Sequence, residues 1–138
     1  MQRDGVHLDD ASFEELTVVA DRAHAVVRRE HAKRLCDGHF PDDPIVPGAH
    51  LAGLMAEVAT ALLARRAPPG PSREANADSP RLLAIHNCVF SRRVVPHESI
   101  TIAARLAVAA AGELWIDAEV RTRGVRAARA TFRFAECV

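Results

Sequence analysis

Three stretches in the second half of the chain alternate apolar and polar residues with a period of two. Ile100, Ile102, Ala104, Leu106 and Val108 alternate with Thr101, Ala103 and Arg105. Leu114, Ile116, Ala118 and Val120 alternate with Trp115, Asp117, Glu119 and Arg121, and Ala128, Ala130, Phe132 and Phe134 with Arg129, Thr131 and Arg133. Each stretch predicts a strand with one buried and one solvated face. Gly112 and Gly124 stand where the hairpin turns between them belong. LLAIHNCVF (82–90) is apolar at both phases of the alternation, which predicts a central strand. Within it, Asn87 is expected to be satisfied by neighbouring backbone and Cys88 to be a small buried hydrophobe. Near the start, FEELTVVADRAHAVVRRE (13–30) sets Val18-Val19 and Val26-Val27 around polar Asp21-Arg22, which predicts two short strands or a hairpin.

The period changes after Gly48. AHLAGLMAEVATALLARR has no proline and is rich in Ala and Leu, which predicts about 17 residues of helix. The segment is apolar almost all the way round, so the helix should be buried at the centre of the molecule. Its polar exceptions are His50, Glu57 and Thr60. At about 100° per residue, His50 and Glu57 lie ~20° apart, with Gly53 close to the same line. CDGHFPDDPIVPG (36–48) is an irregular loop punctuated by Pro41, Pro44 and Pro47, and 67–80 is a Pro/Ser/Ala-rich surface loop. With residues 1–12 as an N-terminal tail, the order is two strands, a loop, one long helix and four antiparallel strands. The economical packing is an α+β single domain over 1–138, a curved antiparallel sheet wrapped around one long helix.

Composition narrows the function. The 138 residues are 49% hydrophobic and 26% charged, with 18 basic against 18 acidic side chains. A neutral balance argues against nucleic acid as a partner. Cys36, Cys88 and Cys137 are odd in number and form no C-x-x-C pair, which fits a reducing cytoplasm better than a disulfide framework. The opening MQRDGVHLDD has no apolar core of a secretory signal, and no apolar run reaches the ~18 residues of a membrane span. Of the 18 cationic residues 17 are Arg, with Lys33 the exception, and tyrosine is absent. Arg121, Arg123, Arg126, Arg129 and Arg133 make the C-terminal hairpin basic on its polar face, either as a solvated strand face or as an anion site.

The chemistry concentrates in the loop. His39 lies in a stretch whose prolines fix their own φ and bias their predecessors to extended backbone. Pro47-Gly48 leads directly into the helix, whose N-terminus offers unpaired amides and a positive dipole end. A held imidazole beside such amides suits proton abstraction next to a carbonyl. The alternative is an ordinary loop histidine in a proline-set turn. No second histidine at ligand spacing accompanies His39, Asp42 and Asp43, so no metal is assigned. Arg92 and Arg93, with Arg65 and Arg66 at the helix end, suit an acidic partner surface or a phosphate; Arg65-Arg66 equally suit the negative end of the helix dipole.

Gly38, His39, Phe40, Pro41, Pro44, Pro47 and Gly48 form a pattern that resembles the hot-dog-fold 3-hydroxyacyl-acyl-carrier-protein dehydratases of type II fatty acid synthesis. LLAIHNCVFSRRVVPHESITI also resembles that family's strand, Arg-rich turn and Val-Val-Pro step, so the similarity spans roughly residues 13–135. The resemblance implies a hot-dog homodimer or higher even oligomer, and a thioester on phosphopantetheine of acyl carrier protein or CoA. It implies no other cofactor. It makes His39 the base that removes the α-proton and Gly48 the amide donor to the thioester oxygen. Phe40 and Gly53 would border the substrate, and Arg92 and Arg93 would meet the carrier protein.

The family's acid does not carry over, because its position, fourteen residues after the histidine, is Gly53. Three readings compete. Glu57, one turn later and about 6 Å along the axis, supplies the acid, or holds the interface by a hydrogen bond as a helix Gln does in relatives. Alternatively His50 acts at the helix start, or is a core or interface histidine bonded to backbone. On the third reading dehydration is lost. The chain would then be a thioester-binding subunit paired with a complete related hot-dog subunit, or a hot-dog thioesterase. Asp42 replaces a family glycine, which changes the loop's conformation if that glycine had φ > 0.

Overall fold

The computed structural model describes residues 12–37, 42, 44–66 and 80–136. The N-terminal valines form a hairpin, β1 (Phe13–Val19) and β2 (Arg22–Val27), paired antiparallel. A short helix that the alternation did not reveal follows, α1 (Arg29–Leu35), with Ala32 buried beneath it. The long helix α2 runs Gly48–Arg66, 19 residues, starting at the glycine itself. Strands β3 (Arg81–Phe90), β4 (Ile100–Ala110), β5 (Glu113–Thr122) and β6 (Val125–Ala135) complete a six-stranded antiparallel sheet in the order β1-β2-β4-β5-β6-β3. This is the α+β arrangement that the patterning predicts, a sheet wrapped around one helix.

The predicted inner faces form the core. Ile100, Ile102 and Ala104 of β4, Leu114, Ile116, Ala118 and Val120 of β5, and Ala128, Ala130, Phe132 and Phe134 of β6 are all buried. They meet Leu51, Leu54, Met55, Val58 and Leu62 of α2. Each large side chain so removed from water contributes roughly 1.5–3 kcal/mol. The pattern breaks in β4 after Leu106, where a register shift before Val108 leaves that valine 52% exposed. Ala111-Gly112 and Arg123-Gly124 both have positive φ at the two positions, as two-residue hairpin turns that match strand twist require.

Three expectations are corrected. First, β3 is not central: it is the end strand of the sheet, paired only with β6 among the described strands. Leu82, Ile85 and Phe90 are cross-strand partners of buried Phe134, Phe132 and Ala128, so they share the helix-bearing face. Yet they are 39%, 45% and 47% exposed, because α2 rests chiefly on β4 with β2, β1, β5 and β6 beside it. Second, Cys88 is exposed rather than buried; Asn87 beside it has φ 53° at a register shift in β3, which marks a bulge. Third, α2 is not buried all round. Ala49, His50 and Gly53 are exposed, and Glu57, Thr60 and Ala64 half-buried.

Candidate functional site

The start of α2 is built by three neighbouring segments. Pro47 O accepts the first helical bonds, from His50 N at 3.0 Å and Leu51 N at 3.1 Å. The amides of Gly48 and Ala49 therefore stand ahead of the ladder at the positive end of the helix. Val46 N donates to Val94 O at 2.8 Å, which ties the approach to the helix to the segment joining β3 and β4. Phe90, the last residue of β3, lays its ring over Gly48: a β-carbon there would stand 3.1 Å from Cε2 and Cζ. Phe90 and Val94 thus stand against the helix start and its approach. Asp42 is exposed. His39 and Phe40, with Gly38, Pro41 and Asp43, lie outside the described residues.

The helix stripe divides. His50 is exposed, which sets aside a core histidine in the single chain. Gly53 is exposed, and nothing lies within 4 Å of a β-carbon built on it. Glu57 is half-buried and turned to its own chain: Ser12 Oγ donates to Glu57 Oε1 at 3.5 Å and lies 3.4 Å from His31 Nε2. Ser12 is 1% exposed, so this corner joins the entry to β1, α1 and α2. Sequence reasoning missed Ser12 and His31. The run REHAKR, with its good helix formers and Glu30 in the first turn, was the signal for the element that brings His31 to Ser12.

The arginines separate by role. Arg65 is structural, its Nη1 donating to Leu16 O of β1 at 3.1 Å. On the outer face Arg105 bonds Asp117 at 3.1 Å, Arg121 pairs with Glu119, and Arg133 bonds Glu113 at 2.8 Å. Much of the basic hairpin is therefore internally neutralised. Arg126 and Arg129, with Arg22 and Arg105, border an open groove of ≈ 570 Å³ on the outer face. Arg92 and Arg93 are exposed and line a second cavity of ≈ 400 Å³ with His97, Glu98, Thr122 and Arg123. Of the thiols, Cys36 is pushed up from the ordinary thiol range by burial and then by Asp37, and Cys88, an exposed residue, by partial desolvation of its sulfur.

The fold places the chain among the hot-dog proteins. It superposes on a Streptococcus mutans protein solved with acetyl CoA at TM-score 0.69, 11% identical, covering 94% of this chain and 95% of that one. A hypothetical thioesterase from Streptococcus pneumoniae solved with coenzyme A gives TM-score 0.70 at 11% identity, covering 91% and 89%. The PaaI protein of the phenylacetic acid degradation operon of E. coli gives 0.67 at 13%, covering 88% and 82%. At such identities the likeness is one of fold. The sequence is more particular: residues 16–122 match the ApeI-like dehydratase family, and the chain belongs to it. Among the described residues no helix is long and apolar enough to cross a membrane.

Proposed function

We propose that this chain is a 3-hydroxyacyl-thioester dehydratase, or hydratase in reverse, acting in the cytoplasm on acyl groups carried by phosphopantetheine in fatty acid or polyketide-type biosynthesis. The observation that carries the reading is the start of α2, where the Gly48 amide precedes the helical ladder at the end of the His39 loop. On this reading the thioester oxygen accepts a hydrogen bond from that amide. His39 removes the α-proton, the electron pair forms the Cα=Cβ bond, and the C3–O bond breaks. Glu57 donates the proton with which the 3-hydroxyl leaves as water. The site needs no other cofactor.

The substrate lies where a second copy covers β3. Leu82 and Ile85 face the helix side of the sheet without a helix above them, Phe90 covers the first residue of α2, and β3 is an edge strand among the described residues. A homodimer built on this edge buries them and brings a second α2 to the Gly48 end of the first.

A competing reading has one specific observation behind it. Gly53 is bare, and Glu57 is engaged by Ser12 within its own chain, which suits a thioester-binding subunit that borrows its acid from a complete hot-dog partner. The test is hydration of a short trans-2-enoyl thioester by the purified protein, with thiol release followed in parallel. Loss of enoyl absorbance, abolished in both His39→Ala and Glu57→Gln, is the expected result. An untouched enoyl group would favour the incomplete subunit, and released thiol a thioesterase.

A further inference from the structure

We propose that the outer face of the sheet docks an extended acidic segment of a partner protein, seated across the groove between Arg22 and Arg129. The inference stands on that face alone and is independent of the proposed chemistry. Strand register sets the face out in rows. One row runs Val19, Arg22, Arg105, Asp117, Thr131 from β1 to β6. The next runs Thr17, His24, Ala103, Glu119, Arg129, and both rows line the same open groove.

The charges on this face do not cancel. Both carboxylates are already engaged: Asp117 accepts from Arg105 at 3.1 Å and from Thr131 Oγ1 at 2.8 Å, and Glu119 is paired with Arg121. Arg22, Arg126 and Arg129 are exposed and have no acidic partner among the described residues. Their placement also works against the fold. Arg22 stands directly opposite Arg105, and Arg126 directly opposite Arg121. Like charges directly opposite across a strand pair are destabilising. Two such pairs, one at each side of the groove, are relieved together when anionic groups land on the spare arginines.

The same arrangement selects the occupant. Neighbouring strands lie about 4.8 Å apart, so Arg22 on β2 and Arg129 on β6 are rooted roughly 14 Å apart, with Asp117 and Glu119 of β5 between them. A small anion at the centre would sit over those carboxylates, so negative groups belong at the two margins. An extended chain rises about 3.4 Å per residue, so acids at i and i+4 span the distance and point to the same side. A hydroxyl at i+2 then faces the two carboxylates, which have lone pairs to spare. A nucleic-acid strand would carry its charge across Asp117 and Glu119 without a break. A second copy of this chain would bring the same surplus of arginine to the contact.

Fluorescence anisotropy on the full chain tests this with a short labelled peptide that carries two glutamates four residues apart and a serine midway. Its control carries glutamines in place of the glutamates. We expect the glutamate peptide to bind at least about tenfold more tightly at low salt, with the gap closing as salt is raised. A peptide with the two glutamates adjacent should lose most of that advantage. Arg22→Gln with Arg129→Gln should bring the glutamate peptide to the level of the glutamine one. Because Arg22 opposes Arg105, Arg22→Gln should leave the melting temperature level or higher, as expected of a residue kept for binding. Equal affinity for the glutamate and glutamine peptides would overturn the proposal, as would a preference that survives loss of both arginines. Tighter binding of single-stranded DNA of the same length would overturn it in favour of nucleic acid. A wild-type oligomer that dissociates in the double variant would make the face a contact between copies of this chain instead.

Discussion

The ring of Phe90 and the backbone of Gly48 touch so closely that a β-carbon at residue 48 would stand 3.1 Å from the ring, tighter than such contacts ordinarily are. The end of β3 therefore seals against the first residue of α2 because that residue has no side chain. Gly48→Ala must displace the ring by a few tenths of an ångström. Phe90 is 47% exposed in the single chain, so its ring can give without disturbing the buried core of that chain. Stability should then change by less than about 1 kcal/mol, helped by alanine's better helix propensity. Enoyl hydration should fall about tenfold, ~1.4 kcal/mol in barrier, as the ring and the helix amide are forced apart. In a Phe90→Ala background the same substitution should cost nothing further. A double-mutant cycle on kcat/KM measures that coupling.

Gly53 presents the opposite case, since a β-carbon there meets nothing within 4 Å. Gly53→Ala, on an exposed helical turn, should stabilise the protein by roughly 0.5–1 kcal/mol by reducing the freedom of the unfolded chain. Gly53→Glu places a carboxyl where the dehydratase pattern has its acid. In a Glu57→Gln background it should restore hydration that the single substitution removes. Thermal melts read the first effect and enoyl absorbance the second.

Period-two alternation was enough to identify β4, β5 and β6 and the residues they bury, because one face of each is covered by α2 of the same chain. It failed at β3, whose two apolar phases read as an interior strand although β3 lies at the sheet edge. Apolarity reports what is eventually covered, and not whether the cover comes from the same chain. The Gly48 helix start was legible from Pro47-Gly48. The Glu57–Ser12 contact was not, because it joins residues 45 apart through a corner formed by the seven-residue α1. The Arg65 contact was hidden for a related reason: a basic residue in a last helical turn suggests a dipole partner, and only the sheet order brings Leu16 O to it.

Cys36 gives stability a pH dependence with a definite sign. Its folded thiol sits above the ordinary range, by burial first and Asp37 second, so the folded protein holds that proton more tightly than the unfolded chain. The contribution is complete below the ordinary thiol pKa and is lost as pH rises from there through the raised folded value. With no tyrosine and only Lys33 among lysines, few other groups titrate in that window. Urea midpoints should fall with pH above about 8.5. Cys88, also raised, adds to the same slope, so Cys36→Ala should reduce it without abolishing it, even though the substitution lowers the midpoint overall by opening a cavity. An unchanged slope would remove Cys36 as its source.

The edge of β3 makes the strongest claim on a second chain. Ile85 is 45% exposed on the helix side of the sheet, and it pairs across the strands with Phe132, which is 0% exposed. In a lone chain, burial of an isoleucine in that position would require a covering that α2 does not reach. Ile85→Lys should cost the monomer little, because the side chain can extend its ammonium into water past the edge. In a dimer joined at β3 the same lysine would be desolvated at the centre of the contact, with a like charge from the second copy close by. Sedimentation velocity at micromolar concentration should therefore find wild type as a dimer and Ile85→Lys as a folded monomer. Enoyl hydration should be lost together with the dimer, since the site would then lack the chain that covers it. A fully dimeric Ile85→Lys would show that β3 is not the contact.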